Sequence, residues 1–360
     1  MTAKTRLLTA FVVLGLSLAS APRAEAACTP TGFIRDGIDM TAAHINPGIL
    51  TSPVDATGCH IAVYFDHNKI GPGNVSNLDI FGASYFGVLI NADGGSVTVN
   101  VRNSIIHNIG EVPFNGAQHG IGIYVRAFFA PHTATGEITG NTVYAYQKGG
   151  IVVNGTGAKI SRVNNNRVFG QGHVTYIAQN GIQVGYGAMP YPSQVVGNTV
   201  VGNSYIGFPG DGSASAGLLV VGGPGYGVCP DGNDCPYTNS VVMAGNNLFN
   251  NDVGVYSSNA AADFSAPPAP TTVLILGNLA GSDFCYNQLY QAGIAAQGNT
   301  DYIFSNYVIQ GGGYGPSCGL GIDITGSVNT QHGGNNVTPV TTAVVAGAGA
   351  SGARVSAARP

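Results

Sequence analysis

Few side chains in this sequence have the means to do acid–base chemistry. Lys148, Arg126, His119, Asp211 and Asp252 recur at comparable places between short apolar runs. They suit two reactions. In an elimination, a base takes a proton beside a carboxyl group while cations hold the developing negative charge. Lys148 is then the base, Arg126 the stabiliser, and Tyr146 or His119 the acid. In a hydrolysis, two carboxylates flank the scissile bond, about 5–5.5 Å apart for retention and about 6.5–9.5 Å for inversion. Asp211 and Asp252 fall on turns of successive repeats and suit such a pair. Gln147, Tyr176 and Gln179 in the neighbouring turns, with Tyr124, Asn154, Gln183 and Tyr256 on outward strand positions, supply binding contacts. Trp is absent, so Tyr must provide any stacking surface. Each residue also has a plain structural reading. Lys148 is then a solvated turn residue, Asp252 after Asn250 and Asn251 a turn former, and His119 and His173 ordinary packed histidines.

What must position these residues is a repeat. A β-branched run is followed by Asn, a spacer and an aliphatic, then a variable turn, then Gly and an aliphatic. It reads Asn103-Ser104-Ile105 with Gly120-Ile121, Asn141-Thr142-Val143 with Gly150-Ile151, and Asn166-Arg167-Val168 with Gly181-Ile182. It returns at Asn198 with Gly217, Asn247 with Gly254, Asn287 with Gly293, and Asn306 with Gly321. A period of about 20–50 residues marks a stacked repeat architecture. The segments are too short for helices and suit strands. Asn is expected at corners, where it bonds backbone groups and tolerates left-handed geometry. The Gly is expected to allow a sharp turn. Lined up on the Gly, the copies place His119, Lys148, Gln179, Ser215, Asp252 and Gln291 in one column, neighbours about 4.8 Å apart.

The chain opens with Lys4 and Arg6, an apolar stretch and Ala24-Glu25-Ala26, the pattern of a secretory signal peptide over residues 1–26. The apolar run is too short to span a bilayer. Residues 27–59 lack the repeat and read as an N-terminal cap. Residues 60–326 carry the coils, and residues 327–360 read as a low-complexity tail. The whole chain has a formal charge of −4. Removing Lys4, Arg6, Arg23 and Glu25 makes it two charges more negative, which argues against nucleic acid and anionic membranes as partners. Six cysteines in an exported chain predict disulfides. Proximity pairs Cys28 with Cys59, Cys229 with Cys235, and Cys285 with Cys318. No second close pair supports zinc, and the scattered Asp residues do not form a calcium cluster. No cofactor is expected, and the oligomeric state is open.

The repeat resembles that of the right-handed parallel β-helix (pectate-lyase-like) superfamily, over about three quarters of the chain. The resemblance implies an all-β, single-domain solenoid. It also implies a substrate groove along the outside of the sheet that starts with the Gly phrase. One wall would come from the loops of residues 127–136, 186–193, 222–239 and 257–271. The function this implies is an extracellular lyase or hydrolase acting on a polysaccharide, with a non-catalytic glycan-binding or structural role as the rival. Three family signatures are incomplete. Gly298-Asn299-Thr300-Asp301-Tyr302-Ile303-Phe304 resembles the pectinesterase Gly-x-x-Asp-Phe-Ile-Phe element but lacks its downstream Arg and Trp partners. Asn299-Thr300-Asp301 resembles part of the polygalacturonase pattern, while Gln118-His119-Gly120 stands on the wrong side of it. The Arg-x-Pro-x-x-Arg element of pectate lyases does not occur.

Overall fold

The computed structural model describes residues 27–189, 192–206, 212–283, 290–311 and 319–338, with the backbone of strands Thr342–Val345 and Arg354–Val355. Each coil visits three parallel sheets in turn. Strand Ile121–Arg126 in the first sheet leads to Ala134–Thr139 in the second and Thr142–Tyr146 in the third. Gly149–Asn154 then returns to the first sheet, in register with Ile121–Arg126. The same circuit repeats along the chain and makes a parallel β-helix. Its lumen is one continuous apolar core, with Ile123, Ile151, Ile182, Leu218, Val255, Ile294 and Ile322 stacked from coil to coil.

At the N-terminal end, Thr29–Arg35 and Ile38–Ile45 form an antiparallel hairpin. Asp36 and Gly37 both take positive φ (53° and 77°), the pairing that a tight hairpin turn favours. The hairpin covers the outer face of the first strands: Phe33, Met40 and Ala42 pack with Ile61, Phe86 and Tyr124. Cys28 is bonded to Cys59, and Cys229 to Cys235, as expected. Cys285 and Cys318 lie outside the described residues, as do residues 1–26. No helix of the described residues is long and apolar enough to cross a membrane.

The corner between the second and third sheets is held by an asparagine ladder. Asn141, Asn166, Asn198, Asn246, Asn278, Asn306 and Asn335 stand one above another. From Asn166 onward, each Oδ1 accepts both the backbone N–H and the side-chain Nδ2–H of the Asn in the coil before. Each Nδ2 also reaches a backbone carbonyl of that coil, such as Val163 O from Asn198 at 2.8 Å. The left-handed residue is the one before the ladder Asn: Asn103, Gly140, Asn165, Gly197, Gly245, Gly277 and Ser305 all have φ between 49° and 69°. This corrects the expected alignment. Asn103 and Asn247 are not in the ladder; Ser104 and Asn246 hold those places. Asn287 lies outside the described residues, and Asn278 serves its coil.

The repeated glycine has a different reason from the expected one. Gly150, Gly181 and Gly293 do not have positive φ. They face the lumen, where a Cβ on Gly181 would stand 2.2 Å from Val200 Cγ1 and 2.6 Å from Gly217 O. The glycine lets the first sheet lie close against the third. In the coil with two candidate phrases, the equivalent residue is Gly122, not Gly120, because Gly122 meets Val143 and Gly150 in the same way. The sheets also run past Gly326, the expected end of the coils. Gln331–Gly333, Asn336–Val337 and Thr342–Val345 add a strand to each. The reason is that Gly334-Asn335 repeats the corner chemistry, Gly334 with φ 62° and Asn335 bonding Asn306.

Two substitutions probe these ladders. Asn198→Ala orphans the Asn166 N–H and the Val163 carbonyl, and is expected to cost about 3 kcal/mol. Gly181→Ala overpacks the lumen against a backbone oxygen, and is expected to cost about 2–3 kcal/mol. Both are read as lowered urea midpoints of the purified protein.

Candidate functional site

The expected catalytic column is internal. Lys148, Gln179, Ser215, Asp252 and Gln291 are stacked coil on coil at the corner between the third and first sheets, and all are buried. Polar side chains belong there because the corner breaks the strand ladder and leaves backbone groups unpaired. Asp252 accepts Ser204 Oγ–H on Oδ1 (2.7 Å), and Tyr205 N–H (2.9 Å) and Ser215 N–H (2.8 Å) on Oδ2. Lys148 Nζ donates to the Ala178 carbonyl at 2.7 Å, one of its partners. Gln179 Nε2 donates to the carbonyls of Tyr146 and Gln147, and its Oε1 accepts Gln171 N–H. Gln147 ties down the turn of residues 110–119 through Glu111 N–H, Asn115 N–H and the Ala117 carbonyl. Tyr146 lies in the lumen, its hydroxyl bonded to Asn203, and burial drives its pKa far above the usual phenol value. None of these side chains faces a groove. Asp211 lies outside the described residues.

Two other expected residues are also engaged. Arg126 is clamped to Asp93 (Nε to Oδ2 2.7 Å) and covered by the Phe33 ring at 4.7 Å. Asp93 Oδ1 takes the Phe128 N–H as well, so the ion pair fixes a loop. His119 bonds Glu111 (2.7 Å) and stacks on Tyr85 at 3.7 Å. Tyr176 is half-buried in the turn before Asn180–Gly185. Asp301, from the pectinesterase-like run, is wholly buried.

The remaining expected residues do come together. Tyr124, Gln183 and Tyr256 belong to one column on the outer face of the first sheet, with Val152 and Leu219 between them. Asn154 stands in the adjacent column, opposite Arg126. Gln183 Nε2 donates to Asn154 Oδ1 at 3.1 Å. Tyr124 packs on Phe86, ring centres 5.4 Å apart. Strand alternation placed these four correctly. It also puts Asp323 in the same column, a residue not among the expected ones. The loops expected to form a wall do approach this face. Phe128, Tyr186 and the bonded Cys229 and Cys235 cluster with Leu219, Val221 and Tyr256, and Tyr226 packs against them.

The outer column runs Tyr124, Val152, Gln183, Leu219, Tyr256, Ala295 and Asp323, polar and aliphatic side chains alternating, and all of it is buried beneath the hairpin and loops. Burial holds the hydroxyls of Tyr186, Tyr256 and Tyr290 protonated, far above the usual phenol range. Tyr290 donates to Asp323, and Tyr226 shares a hydrogen bond with Ser258. Two polar groups stand apart from this satisfaction. Tyr124 Oη and Asn154 Nδ2 are buried and make no hydrogen bond. Such groups cost about 1–3 kcal/mol each unless something completes them. Towards the N-terminal end, a cavity of about 320 Å³ opens between the hairpin and the same face, lined by Phe33, Tyr64, Asp66, His67 and Asn91 among others.

A second groove, about 670 Å³, lies on the outside of the third sheet. Its walls include Phe81, His107, Asp79, Glu111 and Phe114. His107 is sandwiched between Phe81 (5.2 Å) and Tyr144 (4.8 Å) and bonds Asp79 at 3.0 Å. The rings lie face to face along the helix axis, and His107 Nδ1 is buried without a hydrogen bond. No group of three or more His, Cys, Asp or Glu arranged for a metal ion occurs among the described residues.

The fold is an all-β parallel solenoid whose first sheet carries a covered outer column of tyrosines and an amide interleaved with aliphatics. Comparisons with protein-family models, curated proteins and solved structures return no match.

Because Asp252 is a buried structural acceptor, Asp252→Ala strands two backbone N–H groups and a hydroxyl. It is expected to lower stability by about 3 kcal/mol or more, measured by urea denaturation.

Proposed function

We propose that the protein is an exported, non-catalytic glycan-binding β-helix that holds its ligand on the outer face of the first sheet. The observation that carries this reading is the pair of buried, unpartnered groups on that face, Tyr124 Oη and Asn154 Nδ2. Both are donors, and a polyol offers acceptor oxygens at close spacing. Neutral phenols and amides around them supply further contacts and apolar edges for sugar rings. The pectate-lyase-like solenoids that the repeat resembles carry their groove on this same face, which supports the placement. Binding is favoured over turnover by the state of the acids and bases. Lys148 and Asp252 serve the interior, Arg126 is neutralised by Asp93, and Asp323 is occupied by Tyr290 and Thr325.

The reading is tested with a panel of neutral and acidic polysaccharides in affinity electrophoresis, with reducing-end and unsaturated-end assays alongside. Retention without turnover is expected. Tyr124→Phe removes an unpaired buried hydroxyl, so the free protein should be as stable as the wild type or slightly more so. The same change should weaken glycan binding about 3- to 10-fold, the worth of one hydrogen bond of about 0.5–1.5 kcal/mol. Asn154→Ala should also weaken it. No retention on any polysaccharide, or unchanged binding by both variants, would overturn the proposal. New reducing or unsaturated ends would replace it with catalysis.

A further inference from the structure

Among the described residues, the lumen contains one carboxyl group whose environment has no use for a charge. Asp301 is fully buried and points inward beside Val273 and Ile303, both members of the apolar core. Its Oδ1 accepts the Val273 N–H at 3.0 Å. Its Oδ2 makes no hydrogen bond. The polar group beside it is Ser257, on the inward side of strand Val253–Asn259 in register with Val220 and Ala296. Ser257 Oγ is likewise buried and unpaired. A buried carboxyl oxygen with one hydroxyl beside it is better accommodated as a neutral acid than as a charge.

The carboxyl is also confined. A Cβ on Gly298 would stand 2.6 Å from Asp301 Oδ2, so the group is wedged against the Gly298 backbone. It cannot turn to water unless residues 298–301 move. Those residues are the landing for the next coil. Gln331 N–H bonds the Asp301 carbonyl (2.9 Å), Thr300 N–H bonds Val328 O (3.0 Å), and Val328 N–H bonds Gly298 O (3.0 Å).

We propose that Asp301 is a proton latch for the final coil: as a neutral acid it donates Oδ2–H to Ser257 Oγ, and its ionisation loosens the docking of residues 319–338. On ionisation the proton leaves to solvent, and Ser257 must turn from acceptor to donor. The carboxylate then has the Val273 N–H and one hydroxyl to replace its water shell, too little for a buried charge. The titratable groups on the surrounding elements do not supply a counter-charge. Tyr256 and Asp323 belong to the outer face of the first sheet. Tyr302 alternates outward from Ile303, while Asp263 and His332 are exposed. Burial dominates, raising the carboxyl from 3.8 to about 6 against the opposing pull of Val273 and Ser257.

The sign follows from proton linkage. Between about 4 and about 6 the folded state keeps a proton that the unfolded chain has released. Stability from this group is therefore full below about 4, is lost as pH rises to about 6, and stays low above it.

The direct test is a carboxyl-carbon NMR titration of protein labelled at aspartate, with Asp301 assigned by its absence in Asp301→Asn. A midpoint near 6 is expected, and a midpoint at or below 4 overturns the latch. Hydrogen exchange at Val328 and Gln331, corrected for intrinsic rates, gives a second readout between pH 4 and 7. The wild type should lose protection by up to about 100-fold relative to Asp301→Asn, two pH units of linkage. The Asn amide keeps a donor for Ser257 and has no proton to lose. Equal loss in both proteins overturns the proposal, and the NMR titration of the wild type stands even if the variant folds poorly.

Discussion

Everything in this molecule depends on stacking backbones about 4.8 Å apart around a closed circuit. Strands satisfy their own amides in such a stack; corners do not. Buried polar backbone groups must nevertheless be paired. The asparagine ladder answers this at one corner, because an amide side chain carries a donor and an acceptor on one short stem. At the corner between the third and first sheets the answer is less regular: Gln179, Ser215 and Asp252 each bond whichever backbone groups their turn leaves open. Glycine completes the scheme by letting two sheets close on each other across the lumen. An interior built this way is narrow and, among the described residues, filled with apolar side chains.

That division of labour leaves the variable loops to the outside. On the first sheet the outer positions are rigidly spaced and loops rise beside them. The hairpin of residues 29–45 covers one end, while Phe128, Tyr186 and Tyr226 gather at the other. The Arg126–Asp93 pair holds the loop behind Phe128 in place. A buried ion pair of this kind adds little net stability; its value here is geometric.

The sequence discloses the strands and the outward column well, and the corners badly. Alternation along Ile121–Arg126 or Asn180–Gly185 tells inside from outside, so Tyr124 and Gln183 are legible. No such rule operates at Lys148 or Asp252. They stand where the chain leaves one sheet for another, and a polar residue there can face water or an open backbone group. The double phrase Gly120-Ile121-Gly122-Ile123 is ambiguous for a related reason. What decides it is clearance for a Cβ, and that exists only once Val143 and Gly150 are in place. The final coil is hidden because Asn335 sits in a polar, glycine-rich stretch with few aliphatics to announce a strand.

The asparagine ladder also has a direction. Asn166 accepts from Asn141 and donates to Ile138, both in the coil before it. Asn198 does the same for Asn166 and Val163. Each coil thus completes its predecessor, and stays incomplete itself until its successor arrives. A chain emerging N-terminus first meets these needs in the order they arise: the hairpin provides a finished end, and every later coil finds a surface already waiting for its amide. The ladder is therefore polar: a break in it leaves N–H donors open on the N-terminal side and an amide oxygen open on the C-terminal side.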